Sequence, residues 1–323
     1  MAAAPRRRRG AADPETLIAA AKTGDARALA RLVSLAENES AELRRLAKVI
    51  VPMTGRAHIL GLTGAPGVGK STVTGGLVRH YRNEGLRVGV LAVDPSSPFS
   101  GGALLGDRVR MQEHATDDEV FIRSMASRGH LGGLSVATPQ ALRILDAAGF
   151  DVVLIETVGV GQAEVEIASL ADSALVVVAP GLGDSIQAAK AGILEIADVF
   201  VVNKSDRPGA QEVVRDLRTM LAMANYEASD WKPPIVSTTA ATGDGIGDLA
   251  AAIGKHRRWI ADSGLLAKRR RARAREEISA IALAELRGRI GALPGESRLD
   301  ELAESVSSGE LDPYSAADEL ISG

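Results

Sequence analysis

The chain has 323 residues, and 38 Lys and Arg against 41 Asp and Glu give it a formal net charge of −3. This balance excludes a globally basic nucleic-acid-binding protein. The sequence has no cysteine, which excludes disulfides, Cys-ligated zinc, iron–sulfur clusters and a Cys nucleophile. No apolar run reaches the ~20 residues of a membrane span, and no apolar signal core follows the basic N-terminus. We therefore expect a soluble, cytoplasmic protein without a membrane partner.

The first two of four predicted zones are a tail and a helical extension. Residues 1–12 carry a basic run and are expected to form a disordered, solvated tail. Residues 13–55 show apolar residues at helical spacing, and Asp13 followed by Pro14 is typical of an N-cap and a first helical turn. Two further helices are predicted in this extension, at 26–36 and 41–50.

The third zone, residues 56–260, alternates short apolar runs with helical segments. Several runs are rich in Val, Ile and Leu with little polar alternation, as expected for strands that are buried on both faces. The alternation predicts an α/β domain with a mostly parallel central sheet flanked by helices. The seven predicted strands are 59–63, 88–93, 120–124, 152–155, 174–179, 199–202 and 235–237.

The fourth zone, residues 261–323, is predicted to be helical. A long helix with a basic first half, 268–275, is followed by a break at Pro294 and Gly295 and by two short helices. We interpret the basic run as a solvated helix face, with nucleic-acid binding as the less favoured alternative. The apolar stripe of this zone has no core of its own, which favours packing against a second subunit.

Residues 64–71 match the phosphate-binding loop G-x-x-x-x-G-K-[ST] in full. A predicted strand precedes the loop and a helical segment follows, so backbone N–H groups at a helix N-terminus would surround the phosphates. Lys70 is expected to reach the β- and γ-phosphates, and the Ser71 hydroxyl to bind Mg²⁺. The nucleotide-binding residues predicted in this segment are Gly64, Ala65, Pro66, Gly67, Val68, Gly69, Lys70, Ser71 and Thr72.

A second motif, Asn203-Lys204-Ser205-Asp206, follows the sixth predicted strand and is similar to the N-K-x-D motif of GTPases. A carboxylate at Asp206 can accept hydrogen bonds from guanine N1–H and the 2-amino group. Adenine offers no such pair of donors, so ATP would leave Asp206 unpaired. After the next strand, Thr239-Ala240 match the backbone contact that GTPases make to guanine O6, and Ala241 completes the expected guanine site.

Two carboxylates, Asp94 and Glu156, end other predicted strands. Ligands of open α/β sheets bind at the carboxyl ends of strands, so both are candidate Mg²⁺ ligands beside Ser71, or residues that orient the attacking water. The alternative for each carboxylate is a helix N-cap. Glu156 also begins E-T-V-G where most GTPases carry D-x-x-G, and the Gly159 N–H is a candidate γ-phosphate sensor.

Three segments resemble the MeaB/ArgK/MMAA family: D-P-S-S-P at 94–98, R-G-H-L-G-G-L-S at 128–135 and E-T-V-G-V-G-Q at 156–162. This family comprises GTPase chaperones of adenosylcobalamin-dependent methylmalonyl-CoA mutase, and the resemblance covers residues 13–320. It implies a SIMIBI-class P-loop fold, GTP or GDP with Mg²⁺ as ligands, and a homodimer joined by a dimerisation arm at 261–323. It also implies that the protein gates cobalamin loading and protects the mutase.

The resemblance further assigns roles to mobile loops. Asp94 and the loop after it correspond to switch I, residues 156–162 to switch II, and 183–190 to a third switch. Glu156 and Gln162 are the candidates for orienting the attacking water, and Lys190 is either a catalytic residue of the third switch or a solvated surface charge. We expect slow intrinsic hydrolysis that a partner accelerates.

Several alternatives stay open at this point. One is an ArgK-type kinase acting on an amino-acid transport system, which would use ATP. Another is a metal-insertion GTPase, although the five histidines lie far apart in sequence and cysteine is absent. A third is a nucleic-acid adaptor using the basic run. The partner is equally open among the related methylmalonyl-CoA, isobutyryl-CoA and ethylmalonyl-CoA mutases.

Overall fold

The chain divides into two compact units between Arg270 and Arg271. The computed structural model describes the following residues: 13–38, 40, 42–95, 114, 116–127, 137–157, 163–181, 196–227, 229–292 and 296–322. Within these ranges, no helix combines the length and the apolar character that crossing a bilayer needs.

Three helices open the first unit: α1 (Pro14–Lys22), α2 (Ala26–Glu37) and α3 (Leu43–Ile50), followed by a short 3₁₀ turn at Val51–Met53. The Asp25 carboxylate caps α2 by accepting hydrogen bonds from two backbone N–H groups. Asp13 stands at the N-cap position of α1 but caps nothing with its side chain. Arg45 holds that carboxylate in an ion pair at 2.6 Å, so Asp13 is the predicted N-cap residue by position, while its side chain serves the ion pair.

A seven-stranded sheet forms the centre of this unit, and every strand pairing in the described residues is parallel. Its order is β3-β2-β4-β1-β5-β6-β7, which places the first strand in the middle. The strands are β1 (His58–Thr63), β2 (Val88–Pro95), β3 (Val120–Ser127), β4 (Val152–Thr157), β5 (Ser173–Val178), β6 (Val199–Asn203) and β7 (Ile235–Thr238).

Helices cover both faces of the sheet, which confirms the predicted α/β fold class. Alternate residues of a strand serve opposite faces: Ile59 packs with α1–α3, whereas Leu60 and Leu62 pack on the other face. Gly61 allows a close helix approach, because a Cβ there would lie 2.5 Å from Ile167 Cγ2. The further helices in the described residues of this unit are α4 (Lys70–Asn83), α5 (Ala137–Ala147), α6 (Ala163–Leu170), α7 (Ala210–Met223) and α8 (Ile246–Asp262).

Polar side chains connect the amino ends of β1, β5 and β6 inside the protein. His58 Nε2 lies 2.9 Å from Ser173 Oγ, which in turn lies 2.7 Å from His256 Nδ1. The other nitrogen of His256 is 3.2 Å from Asp198 Oδ1. Both histidines are buried, and burial lowers the pKa of His58 to about 3. The two histidines are therefore structural residues.

The start of α9 (Leu265–Ala292) corrects our interpretation of the basic run. Arg269 forms two hydrogen bonds with the buried Asp198 carboxylate, at 2.8 and 2.9 Å. Arg270 pairs with Asp172 at 2.8 Å, and Asp172 is also buried. Burial raises the pKa of Asp198, but hydrogen bonds from His256 and Arg269 reverse this and leave it lowered. The prediction of a solvated face is wrong for these two arginines, because they neutralise buried carboxylates.

The second unit is helical in its described part, with α10 (Glu296–Ser307) and α11 (Pro313–Ser322) after α9. Arg298 of α10 pairs with Glu319 of α11 at 2.8 Å. The predicted break at Pro294 and Gly295 lies outside the described residues. Several large apolar side chains of α9 are exposed: Ile278, Ile281, Leu283 and Leu286.

Candidate nucleotide site

The phosphate loop connects the end of β1 with the start of α4. Gly64 has φ of +140°, and a Cβ there would lie 2.1 Å from the Val177 carbonyl oxygen. Gly69 has φ of +96°, and a Cβ there would lie 2.4 Å from Asn203 Nδ2. Both the left-handed backbone and the close contacts require glycine. The loop conformation is therefore fixed by the residues that the motif specifies.

Lys70 is the first residue of α4, and its side chain folds back over the loop. Its Nζ donates hydrogen bonds to the carbonyl oxygens of Gly64 at 2.6 Å and Ala65 at 3.1 Å. The side chain is buried at the positive end of the helix dipole. Ser71 is half-buried and Thr72 exposed in the same first turn. This arrangement places a cation, a hydroxyl and a helix N-terminus at one point, which suits a polyphosphate.

Glu156 lies on β4, the neighbour of β1, and its side chain is 2% exposed. It stands opposite Leu62 of β1 and Ala92 of β2 in the strand register. The Thr74 hydroxyl, one helical turn after Lys70, donates a 2.6 Å hydrogen bond to Glu156 Oε2. Because Glu156 lies inside a strand and is held by a helix behind the phosphate loop, it is not a helix N-cap.

Asp94 belongs to β2, two positions further along than the Ala92 that pairs with Glu156. The strand continues to Pro95, beyond its predicted end. Ser71 and Glu156 offer hydroxyl and carboxylate oxygens, the donors that Mg²⁺ prefers. Among the described residues no group of three metal-ligating side chains occurs.

Asn203, the last residue of β6, links the phosphate loop to the predicted guanine site. Its Nδ2 donates to the Val68 carbonyl oxygen at 2.9 Å. Its Oδ1 accepts from Thr238 Oγ1 and from the Ala240 N–H, both at 3.1 Å. Asn203 is 3% exposed, and both polar atoms of its side chain form hydrogen bonds inside the protein. One buried amide thus ties three loops together.

The turn after Asn203 presents Asp206 to solvent. Lys204 adopts φ of +57° and donates to the Gly67 carbonyl oxygen at 2.6 Å. Ser205 joins the loop after β7 through a 3.1 Å contact with Thr239 Oγ1. Within the part of the chain that the structure describes, the Asp206 carboxylate has no hydrogen bond or ion pair. An exposed carboxylate on a fixed turn is the arrangement that guanine recognition needs.

The backbone N–H groups of Ala240 and Ala241, which follow β7, differ in their hydrogen bonding. The Ala240 N–H is taken by Asn203 Oδ1, whereas Ala241 is exposed and its N–H has no partner among the described residues. Ala241 is therefore the better placed of the two to donate to a base. The sequence had pointed instead to Thr239 and Ala240 for the contact with guanine O6.

Part of the predicted site lies outside the described residues, namely Gly159, Gln162 and Lys190. Sequence reasoning also missed Thr74. The signal was available, because Thr74 is four residues after Lys70 and thus on the same face of α4.

A phosphate loop between a central parallel strand and its helix, joined to an Asn-Lys-x-Asp turn, defines a P-loop nucleotide-binding protein with a guanine site. The sequence model described as "Methylmalonyl Co-A mutase-associated GTPase MeaB" matches residues 29–294. The chain belongs to this family, and it is a GTPase.

Relatives named as GTPases match most of the chain. A relative from Pyrococcus horikoshii is 50% identical over 309 residues, covering 95% of this chain and 97% of its own. GTPase ArgK of Escherichia coli is 36% identical over 252 residues, covering 76% of each chain. The mouse protein named methylmalonic aciduria type A homolog, mitochondrial, is 32% identical, covering 92% of this chain and 76% of its own.

The fold has a counterpart among solved structures. The crystal structure titled LAO/AO transport system kinase aligns with a TM-score of 0.70 and 27% identity. The alignment covers 96% of this chain and 97% of that one. Similarity therefore extends beyond the nucleotide-binding part of the chain.

Proposed function

We propose that this GTPase is a Mg²⁺-dependent chaperone of adenosylcobalamin-dependent methylmalonyl-CoA mutase, which gates cobalamin loading and protects the mutase in the cytoplasm. The family match across residues 29–294 supports the partner, and the name of the mouse relative points to the same metabolism. For control by a nucleotide, the supporting structural observation is Asn203. Its side chain joins the phosphate loop to the loop after β7, which belongs to the predicted guanine site. A protein controlled by its nucleotide requires such a link between the phosphate site and the base site.

The site residues have distinct proposed roles in hydrolysis. Water attacks the γ-phosphorus in line, the bond to the β–γ bridging oxygen breaks, and GDP leaves with the negative charge. Lys70 exchanges its two carbonyl partners for β- and γ-phosphate oxygens and neutralises that charge. Ser71, Asp94 and Glu156 would hold Mg²⁺, which supplies further charge neutralisation at the phosphates.

The proposed base site pairs the Asp206 carboxylate with N1–H and the 2-amino group of guanine, and the Ala241 N–H with O6. Thr239 and Ala240 form the wall on which the base lies. Glu156 and Gln162 are the proposed water-orienting residues, Gly159 the γ-phosphate sensor and Lys190 a catalytic cation of the third switch. With GTP or GDP bound, these loops would report the nucleotide to the mutase.

We further propose a homodimer in which residues 261–323 form the dimerisation arm, next to a GTPase domain at 56–260 and an N-terminal extension at 13–55. Exposed apolar residues support this: Ile278 is 68% and Leu283 54% exposed on α9. Burying them against a second copy would remove apolar surface from water. Light scattering on wild type and on Leu283→Glu with Leu286→Glu tests the dimer, because two charges in an apolar interface would leave monomers.

A kinase is the second candidate, because the solved structure with TM-score 0.70 bears a kinase title. A kinase that uses ATP gains nothing from an exposed Asp206. Calorimetric titration with GDP and ADP separates the two functions. Selective GDP binding that Asp206→Ala abolishes supports the GTPase chaperone, whereas equal binding of both nucleotides supports the kinase.

The main experiment measures GTP turnover by the purified chain, alone and with a methylmalonyl-CoA mutase from the same source. ATP runs as the parallel substrate, and Lys70→Ala serves as the site control. We expect the mutase to raise the GTPase rate, with ATP inert and Lys70→Ala inactive. GTP turnover that the mutase leaves unchanged, in mixtures where GDP binds normally, would overturn the mutase assignment and redirect the search to other acyl-CoA mutases.

A further inference from the structure

A cavity of about 680 Å³ opens at the amino edge of the sheet, the edge opposite the nucleotide site. It lies between α4 and α8, where β1 and β4 begin with His58 and Val152. Its volume is within the range of small-molecule sites. None of the residues assigned to the nucleotide or to Mg²⁺ lines it, so the GTPase reaction does not account for it.

One wall of the cavity contains the side chain of Tyr81. Tyr81 of α4 lines the cavity and is only 7% exposed. Its hydroxyl has no hydrogen bond within the described residues. Glu84 and Arg257 line the same cavity and act on that hydroxyl electrostatically. The hydroxyl itself is accessible, since it is not among the fully buried side-chain atoms that lack a partner, so a ligand in the cavity can accept its hydrogen bond.

The opposite wall is a stripe of small residues on α8, formed by Gly247, Ala250, Ala251 and Gly254. Neither glycine has the left-handed backbone that favours glycine. A Cβ on Gly247 would meet nothing within 4 Å, and one on Gly254 would meet only Arg258 Nη1 at 3.7 Å. Protein packing therefore does not require glycine there, although glycine weakens a helix. What these glycines preserve is open space beside the helix.

The rim of the cavity is cationic. Lys255, Arg257 and Arg258 are exposed there, and none of them forms an ion pair among the described residues. The acidic lining residue, Glu84, is 3.3 Å from His80, which shares the rim. The floor includes the apolar residues Leu86, Val152 and Ile253. A cationic rim over an apolar floor matches a molecule with one anionic end.

We propose that this cavity binds a small anionic molecule with an apolar body. Its carboxylate or phosphate group would lie between Arg257 and Arg258 and accept a hydrogen bond from the Tyr81 hydroxyl. The apolar part would lie along α8 in the space that Gly254 leaves open. The site would thus be a second ligand site, separate from the nucleotide and independent of which partner the GTPase serves.

The test uses 8-anilinonaphthalene-1-sulfonate, an anionic fluorescent probe with an apolar ring system. The full-length protein is first saturated with GDP and Mg²⁺, so that the phosphate loop is filled. The ring centroids of the two tryptophans, Trp231 and Trp259, lie 5.6 Å apart, and Trp259 is on α8. Energy transfer from tryptophan to the probe therefore reports binding to the folded protein, and the variants described next locate the site. We expect one saturable site per chain that weakens with added salt.

Variants then locate the site. Gly254→Leu fills the space and Arg257→Ala removes a rim charge, and each should weaken probe binding at least tenfold. Arg218→Ala, an exposed arginine on α7, removes the same charge elsewhere and should leave binding unchanged. Tyr81→Phe should weaken binding severalfold while the melting temperature stays equal or rises, because an unpartnered hydroxyl is lost. Measuring both probe binding and melting temperature separates the loss of a ligand contact from a folding defect.

Competition identifies the anionic group. Octanoate and phenyl phosphate compete with the probe as an aliphatic carboxylate and an aromatic phosphate, and the stronger competitor gives the class of ligand. Probe binding that does not saturate, that Gly254→Leu and Arg257→Ala leave unchanged, or that neither competitor displaces would overturn the proposal.

Discussion

The Thr74 hydroxyl donates a 2.6 Å hydrogen bond to Glu156 Oε2, and both side chains are buried behind the phosphate loop. Thr74 belongs to the helix that carries Lys70 and Ser71, whereas Glu156 belongs to the strand that leads into the second switch segment. The bond therefore joins the element that holds phosphates to the element that is expected to sense them.

Replacing Thr74 by Val keeps the shape of the side chain and removes the donor. Removing one partner of a buried hydrogen bond costs about 1–3 kcal/mol, so we expect the GTP hydrolysis rate to fall about 5- to 100-fold. GDP affinity should change little, because Thr74 does not face the nucleotide in the proposed arrangement. Single-turnover hydrolysis and GDP titration measure the two effects.

Thr74→Ser is the matched control, since it keeps the hydroxyl and loses only a methyl group. Its hydrolysis rate should stay close to that of the wild type. Equal rates for Val and Ser at this position would contradict a positioning role for Thr74.

Asn203→Ala removes the side-chain amide that connects the phosphate loop with the loop after β7. The change leaves the Val68 carbonyl and the Ala240 N–H without their partner, which costs about 1–3 kcal/mol for each buried group. We expect GDP affinity to fall at least tenfold, together with a lower melting temperature in the absence of nucleotide. A variant that melts lower but binds GDP as tightly as wild type would show that Asn203 serves the fold alone.

The phosphate loop could be predicted from sequence because its backbone permits few residues. Glycine is required at positions 64 and 69 because φ is positive there and because a Cβ would clash with neighbouring atoms. The motif therefore specifies the backbone geometry of the loop. The strands were predictable for a related reason. In a parallel sheet covered on both faces, strands such as β5 are continuous apolar runs.

The contacts at the amino edge could not be predicted in the same way. Ser173 meets His58 across 115 residues of chain and His256 across 83. These pairs exist only because β1 and β5 are neighbours and α8 packs over them. A local sequence pattern does not predict the order of strands in a sheet. The pairing of Arg269 with Asp198 depends on the same order, which is why the basic run was interpreted as solvated.

Arg269→Ala tests the pairing at the start of α9. Asp198 is buried and receives two hydrogen bonds from this guanidinium, so its removal leaves a buried carboxylate with less compensation. We expect the free energy of unfolding to fall by about 3 kcal/mol, measured by urea denaturation. Lys268→Ala is the control, because Lys268 is exposed on the same helical turn and should change stability by less than about 0.5 kcal/mol.

His58 gives the protein a defined response to acid. Burial is the main cause that lowers its pKa from 6.5 to about 3, and it outweighs the opposite effect of Asp172. Between these values the unfolded chain binds a proton that the folded chain does not, so stability falls as the pH falls below 6.5. From pH 7 to pH 5 this group should cost the wild type about 2 kcal/mol.

His58→Gln removes the titrating group and keeps a polar atom within reach of Ser173. Its free energy of unfolding should therefore depend less on pH than that of the wild type, by about 2 kcal/mol between pH 7 and pH 5. Urea denaturation of both proteins at the two pH values measures the difference, and the other titrating groups cancel in the comparison. His80→Gln makes the same replacement at a half-exposed position and should retain the wild-type dependence. If His58→Gln lost as much stability in acid as the wild type, His58 would not be the group responsible.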